Sequence, residues 1–308
     1  MTLLLADRAP RPSRAPLEHF APCLPSLGHF RAAVSELVNE IGHGTSPDGS
    51  WVEYILRRRL ADDDDIASVL DATPDGLDST VARLLFEVRN FEPTPLNATN
   101  TIASLVRISL LAQIDAVWWG RRPAYETDAD IQDAQGLVDL DFMSDEGQLA
   151  FCYRHQATTV ARRAARSAVR HALPRHSPKT AGLWMAKAAP QMVAWLNDVA
   201  EEFADLAPQG TPPLWVTSVA RSVDHQRHLK ELGYIAPLPS SHCAGYAADI
   251  EIRWYRRFHA HRILRGILLD RQRANEVNII DEGQAWHVCL HPDVASGLHL
   301  VPAPRQGN

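Results

Sequence analysis

Cysteine is scarce in this chain of 308 residues: Cys23, Cys152, Cys243 and Cys289 are the full set, and no two form a C-x-x-C pair. So few thiols point away from a disulfide scaffold and toward a reducing compartment. Basic excess is missing too. Lys and Arg number 31 against 37 Asp and Glu, a net charge of −6, so nothing in the total advertises nucleic acid or anionic lipid as a partner. No apolar run approaches the ~20 residues of a membrane span. The opening, MTLLLADRAPRPSRAP, holds four apolar residues in a row before Asp7 and Arg8. That is shorter than the apolar stretch of a secretory signal, so synthesis in the cytoplasm is expected. No internal repeat is present. The remaining composition is ordinary, 45% apolar and 22% charged, enough to build a core in one large domain or two small ones.

The first 25 residues, rich in Pro, Arg and Ala and without apolar period, read as a flexible arm. Residues 26–208 read as a helical region. Phe30, Val34, Leu37, Val38 and Ile41 recur at helical spacing, and Gly42 sits where a helix ends. Asp62–Asp65 has the charge of a calcium loop but lacks its Gly and distal Glu, so it reads as a solvated helix start. STVARLLFEVRN puts Val81, Leu84, Leu85 and Val88 on one face, and Asn97 or Asn100 is placed to cap a helix running to about Trp119. GQLAFCYRHQATTVARRAARSAVRHAL is expected to be one long helix with Arg162, Arg163, Arg166 and Arg170 in a solvated stripe. GLWMAKAAPQMVAWLNDVAEEFADL also reads as helical, with Pro190 either kinking it or opening a second helix.

At Gly210, Pro212 and Pro213 the texture changes. LWVTSV, YAADIEI, EVNIIDE and AWHVCL read as strands, interleaved with helices at SVDHQRHLKELG and roughly 253–274. The chain is therefore expected to be α+β. A mainly helical N-terminal region precedes residues 209–308, a small, mostly antiparallel sheet with helices on one face and its first strand near Leu214.

The chemistry concentrates in this last part. SSHCAGYAADI, residues 240–250, sets His242 and Asp249 seven positions apart across a turn at Gly245. If 240–246 is a loop and Ala247 opens a strand, the two side chains can converge. His287, in AWHVC, can supply a third ligand from another strand. Two imidazole nitrogens and one carboxylate oxygen, with a fourth position open, suit catalytic zinc. Cys243, next to His242 in sequence, points away from such a centre if the two are extended. Cys243 and Cys289 read as small, half-buried residues rather than a bridge.

SSHCAGYAADI resembles the S-x-H-x-x-G-x-A-x-D signature of the zinc D-alanyl-D-alanine carboxypeptidases and dipeptidases, which include endolysin L-alanyl-D-glutamate peptidases. Ser240, His242, Gly245, Ala247 and Asp249 take the five places. TSVARSVDHQ is similar to the family's S-x-x-R-S-x-x-x-Q stretch through Ser218, Arg221, Ser222 and Gln226, and AWHV to its W-H element through Trp286 and His287. The resemblance covers about 214–292. It implies zinc held by His242, Asp249 and His287. Arg221 would steady the oxyanion of the scissile carbonyl, and Ser240, Gln226 and Trp286 would lie at the substrate, Trp286 as a pocket wall if it is not a core anchor. It further implies hydrolysis, by zinc-activated water, of a peptide or peptidoglycan fragment, of D-Ala-D-Ala or L-Ala-D-Glu type. A substrate outside the membrane would then require release as a lysin, export as an effector, or a recycling role inside the cell.

One position departs. The family's general base is a glutamate three residues before the last histidine, and here that residue is Gln284. An amide cannot take a proton from water at such a site. Glu282 stands two residues earlier, and Gly283 can bulge the chain to deliver it; Asp281 is the weaker substitute. Without either, the site would bind zinc without cutting, and the chain would act as an interaction module.

Overall fold

Helical spacing of apolar residues produces a bundle at the N-terminal end of the computed structural model, which describes residues 26–42, 49–93, 101–157, 159–173, 175–283 and 285–298. Helices α1 (Leu27–Gly42), α2 (Gly49–Asp62), α3 (Asp64–Ala72), α4 (Gly76–Arg89) and α5 (Ile102–Trp119) pack around one core. Phe30, Leu37 and Ile41 of α1, Leu56 of α2, Leu70 of α3, Leu84 of α4 and Leu110 of α5 meet there. The Asp62–Asp65 run is a helix start: Asp63 accepts from the Ile66 N–H, an N-cap. The cap of α5 is Thr101, whose side chain accepts from the Ser104 N–H; Asn97 and Asn100 lie outside the described residues.

α5 has two apolar faces because it has two neighbours. Leu105, Val106, Leu110 and Ile114 belong to the bundle core. Ile108 and Ala112 pack against Ile280 of the C-terminal sheet, and Trp119 joins the core beyond. Among the described residues α5 alone is long and apolar enough to cross a membrane, and it is mostly buried in the protein.

Between the bundle and the sheet the chain is less helical than its composition suggests. Short helices α6 (Asp128–Asp133) and α7 (Leu140–Asp145) flank strand β1 (Val138–Asp139), which pairs with β2 (Lys187–Ala188). This two-residue ladder is a small sheet built before residue 200, in a region expected to be predominantly helical and to hold none. The expected long helix over 147–173 is confined to α8 (Val160–Ala172), capped by Thr159. Upstream of it, Cys152 bridges in parallel to Trp215 and His155 to Leu183, so residues 151–157 run extended. The backbone there gains sheet partners that a solvated Ala/Arg helix cannot offer, and tertiary pairing overrides propensity. Residues 182–189 are likewise not helical; Pro190 opens α9 (Pro190–Leu206), where its missing N–H costs nothing.

Four strands form the main sheet: β3 (Val216–Ser218), β4 (Ala247–Glu251), β5 (Val277–Asp281) and β6 (Ala285–Leu290), in the order β3-β4-β6-β5, all antiparallel. Helix α10 (Val223–Glu231) follows β3, α11 (His261–Arg273) lies between β4 and β5, and α12 (Pro292–Gly297) follows β6. The expected helix over 253–274 is split: a 3₁₀ turn at Arg253–Phe258 ends at His259, with φ 59°, before α11. One face of the sheet, with Val216, Ile250, Trp286 and Val288, shares a core with α9 and α11. That core also takes Ile131, Leu140 and Phe151, so the packing boundary falls near Trp119 rather than at residue 208. The opposite face lies under α5.

Candidate metal centre

The strand register lines up one row of side chains across the sheet. Ser218 pairs with Asp249, Asp249 with His287, and His287 with Ile280. Directly opposed residues on one face have Cβ atoms about 4.5–5.5 Å apart, so a carboxylate from β4 and an imidazole from β6 must meet. His242 arrives from outside the sheet, on a 3₁₀ turn at Ser241–Ala244 closed by Gly245. Gly245 has φ 82°, a conformation strained for any other residue, and a Cβ there would sit 2.7 Å from Leu137 Cδ2, so the Leu137 side chain would have to shift.

The three donors converge. His242 Nε2 lies 3.2 Å from Asp249 Oδ1 and 3.1 Å from His287 Nδ1, and His287 Nδ1 lies 3.3 Å from the same Oδ1. A tetrahedral site with bonds of about 2.0–2.1 Å has donor–donor edges of about 3.3–3.4 Å. The group is buried and could hold a metal ion.

Each of the three side chains is held from behind. His242 Nδ1 donates to the Val219 carbonyl at 2.7 Å, which leaves the Nε2 lone pair facing inward. His287 Nε2 donates to Asp115 Oδ2 at 2.7 Å, which leaves Nδ1 free to ligate. Arg221 Nη2 pairs with Asp249 Oδ2, so the carboxylate presents Oδ1 to the centre. Arg221 Nε in turn donates to Ser218 Oγ at 2.7 Å, and Nη1 to Gln226 Oε1 at 3.4 Å.

The charges are unequal. Burial opposes ionisation of Asp249, but Arg221 and the two imidazoles overcome it and hold the carboxyl well below its usual range. Burial and then Arg221 push His242 down to about 4, so it stays neutral and ready to ligate. Burial works against a charged His287 as well, yet Asp115 and Asp249 outweigh it and push this imidazole up to about 10. Asp115, Asp249 and Glu282 thus face Arg221 and the raised His287 imidazole, with Arg31 acting on Asp115 from α1, and a metal bound at this centre would take the place of the His287 proton.

The residues expected to touch substrate divide. Glu282 shares the His287 face, because Ile280 pairs with His287 and the Glu282 N–H bonds the Ala285 carbonyl at 3.1 Å. It lines a cavity of ≈ 20 Å³ together with His242 and His287, roofed by Ile108 and Ala112 of α5. No bulge delivers it; strand alternation does, and Gly283, with φ 84°, serves the hairpin turn. Burial, then the Asp249 charge, push Glu282 up to about 7. Asp281 pairs with Trp286, on the other face, and is exposed. Gln284 lies outside the described residues.

Arg221 and Glu282 also border a cleft of ≈ 300 Å³ that runs on past Asp249, Trp184, His225 and Tyr234. Ser240 is half-buried on the rim of the small cavity. Gln226 also borders that cavity but is only 2% exposed; it accepts from Arg221 and donates to the Pro237 carbonyl at 3.3 Å, a brace rather than an open contact. Trp286 is a correction. It neighbours His287 on an extended strand, so it points to the opposite face, into the core shared with α9 and α11, and cannot contact a substrate at this centre. Cys152, Cys243 and Cys289 are free thiols, the last two buried.

Asp115 was not anticipated. Its signal lay in composition: it is the single carboxylate in the mostly apolar stretch IASLVRISLLAQIDAVWW, and a buried charge requires partners. No protein-family model, curated protein or solved structure matches this chain.

Proposed function

We propose that this protein is a zinc-dependent peptidase acting on a short peptide, with a peptidoglycan stem peptide of D-Ala-D-Ala or L-Ala-D-Glu type as the substrate class. The observation that carries the reading is the set of three donor atoms 3.1–3.3 Å apart, each on a residue whose far side is held by a named partner. Three protein ligands with an open position fit catalytic rather than structural zinc. The substrate class rests on the resemblance of the motifs around His242, Arg221 and His287.

Zinc at that point supplies Lewis acidity, polarising a peptide carbonyl and making water acidic near neutral pH. The chain's own residues do the rest. Glu282, in the wall of the ≈ 20 Å³ cavity, accepts a proton on a carboxylate oxygen as water adds to the carbonyl carbon. It returns that proton to the amine nitrogen as the C–N bond breaks. Its carboxyl, raised to about 7 in the metal-free protein, is lowered by a neighbouring dication, so the base form prevails in the loaded enzyme. Arg221 has five N–H donors, and three nitrogens make one bond each to Asp249, Ser218 and Gln226. Arg221 borders the cleft, and its remaining N–H groups can steady a developing oxyanion. The small cavity has room for about one water, and the ≈ 300 Å³ cleft beside it takes the peptide.

The test is Glu282→Gln, which keeps size and removes basicity. Hydrolysis should fall ~10²–10⁴-fold with zinc content unchanged. An active wild type whose Glu282→Gln variant cuts equally fast refutes the assignment. Gln284 at the family's base position favours a second reading, a zinc-binding module that does not cut. Activity that appears only in Gln284→Glu would establish that reading instead.

A further inference from the structure

We infer that the N-terminal helical bundle is part of the metal centre: Asp115 of α5 selects the ligating nitrogen of His287, so metal occupancy and docking of α5 on the sheet are one linked equilibrium. This rests on the His242–Asp249–His287 group holding a metal, and not on peptidase activity.

Asp115 is 3% exposed and lies on the sheet-facing side of α5, at helical spacing from Ile108 and Ala112. Its carboxylate gathers donors from three separate elements. Oδ2 accepts from His287 Nε2 on β6 at 2.7 Å and from Ser241 Oγ, on the turn that carries His242, at 2.8 Å. Oδ1 accepts from Asn278 Nδ2 on β5 at 2.8 Å. Asn278 is itself clasped by the bundle: its Nδ2 also donates to the Leu111 carbonyl at 3.0 Å, and its Oδ1 accepts from Arg31 Nη2 of α1 at 3.1 Å. One carboxylate from the bundle therefore touches one metal ligand and the residue next to another.

An imidazole can bind metal through either nitrogen, and the bond made by the other nitrogen decides which. In this fold a helix makes that choice for His287. If α5 lifts away, Nε2 loses its acceptor, the ring is free to turn, and the buried Ser241 and Asn278 donors are left unpaired. Metal that binds best to the docked arrangement must stabilise docking by the same factor, because linkage is reciprocal. Asp115 acts through His287 and is a positioning residue.

The experiment uses the full chain. Zinc and cobalt(II) affinities of wild type and Asp115→Asn are measured by chelator competition, and backbone hydrogen exchange of wild type is followed with and without zinc. Once the competing proton on His287 is corrected for by measuring across pH, Asp115→Asn should bind both ions ~10–100-fold more weakly and shift the visible spectrum of the cobalt form. In wild type, zinc should slow exchange along α5 as well as in β4 and β6. If zinc slows exchange in the sheet but leaves α5 unchanged, or if a folded Asp115→Asn chain matches the wild-type affinity after that correction, the inference is overturned while the metal centre stands. A wild type that binds neither ion overturns both. The exchange measurement needs no variant, so a variant that fails to fold does not rescue the idea.

Discussion

Raising the pH should tighten metal binding steeply, and His287 sets the size of the effect. In the metal-free protein Asp115 and Asp249 push this imidazole up to about 10 against the cost of its burial. A proton on Nδ1 and a metal at the same lone pair exclude each other. At pH 7 the group lies about three units below its pKa, so the proton weakens apparent binding by ~10³-fold, about 4 kcal/mol. Apparent affinity should thus climb about tenfold per pH unit from 7 toward 9. His242, lowered to about 4, contributes nothing in that range, whereas Glu282, raised to about 7, loses its proton near the lower end and steepens the rise there. Stability carries the opposite sign. A pKa raised above its unfolded value of about 6.5 stabilises the metal-free fold fully below that value, and the contribution is lost as pH rises through about 10. The metal-free protein should therefore melt at progressively lower temperature from pH 7 to 10, while the zinc-loaded protein should not follow. Competition with a chromophoric chelator at each pH, corrected for the chelator's own protonation, gives the affinity curve. An affinity constant to within about twofold between pH 7 and 9 would refute the charge assignment at His287.

Three substitutions probe the rest of the centre. Arg221→Met removes the counter-charge of buried Asp249; the metal-free protein should lose about 3 kcal/mol and the zinc-loaded protein less, since a dication takes over the pairing. Equal losses in paired melts would count against Arg221 as the partner that aims Asp249. Gly245→Ala places a side chain at φ 82° and against Leu137, so it should cost ~1–2 kcal/mol or more and reduce zinc content by shifting the turn that carries His242. Unchanged zinc in a folded variant would contradict the role given to that turn. Trp286→Ala should cost ~3–5 kcal/mol of stability with no change in KM for any substrate; a raised KM at constant stability would return Trp286 to the cleft.

Much of the centre was legible because its cues are local. The spacing of His242, Gly245 and Asp249 encodes a turn feeding a strand, and the fold realises it as a 3₁₀ turn, a left-handed glycine and β4. The Trp286 placement was equally readable: it neighbours His287 on a strand, so both cannot face one site, and it is the core anchor rather than the pocket wall. Strand alternation likewise accounts for Glu282, where a bulge at Gly283 was expected. Asp115 was not legible in the same way. It meets His287 across 172 residues of chain, and no spacing rule connects them; only the cost of a lone carboxylate in an apolar helix marks it. The stretch 147–173 misled for a related reason. Its Ala and Arg residues favour helix in isolation, but Cys152 gains hydrogen bonds beside β3, its N–H to the Leu214 carbonyl at 2.7 Å and its carbonyl from the Val216 N–H at 2.8 Å, and those long-range bonds decide the outcome.

The most direct test of the central claim is hydrolysis of a panel of peptidoglycan stem peptides by the full chain, with products identified by mass. The account predicts release of a D-Ala residue or cleavage at an L-Ala-D-Glu-type bond, abolished by a chelator, restored by zinc, and absent from a His242→Ala variant. A zinc-loaded protein that leaves every stem peptide intact, or one whose cutting survives both the chelator and His242→Ala, would contradict it.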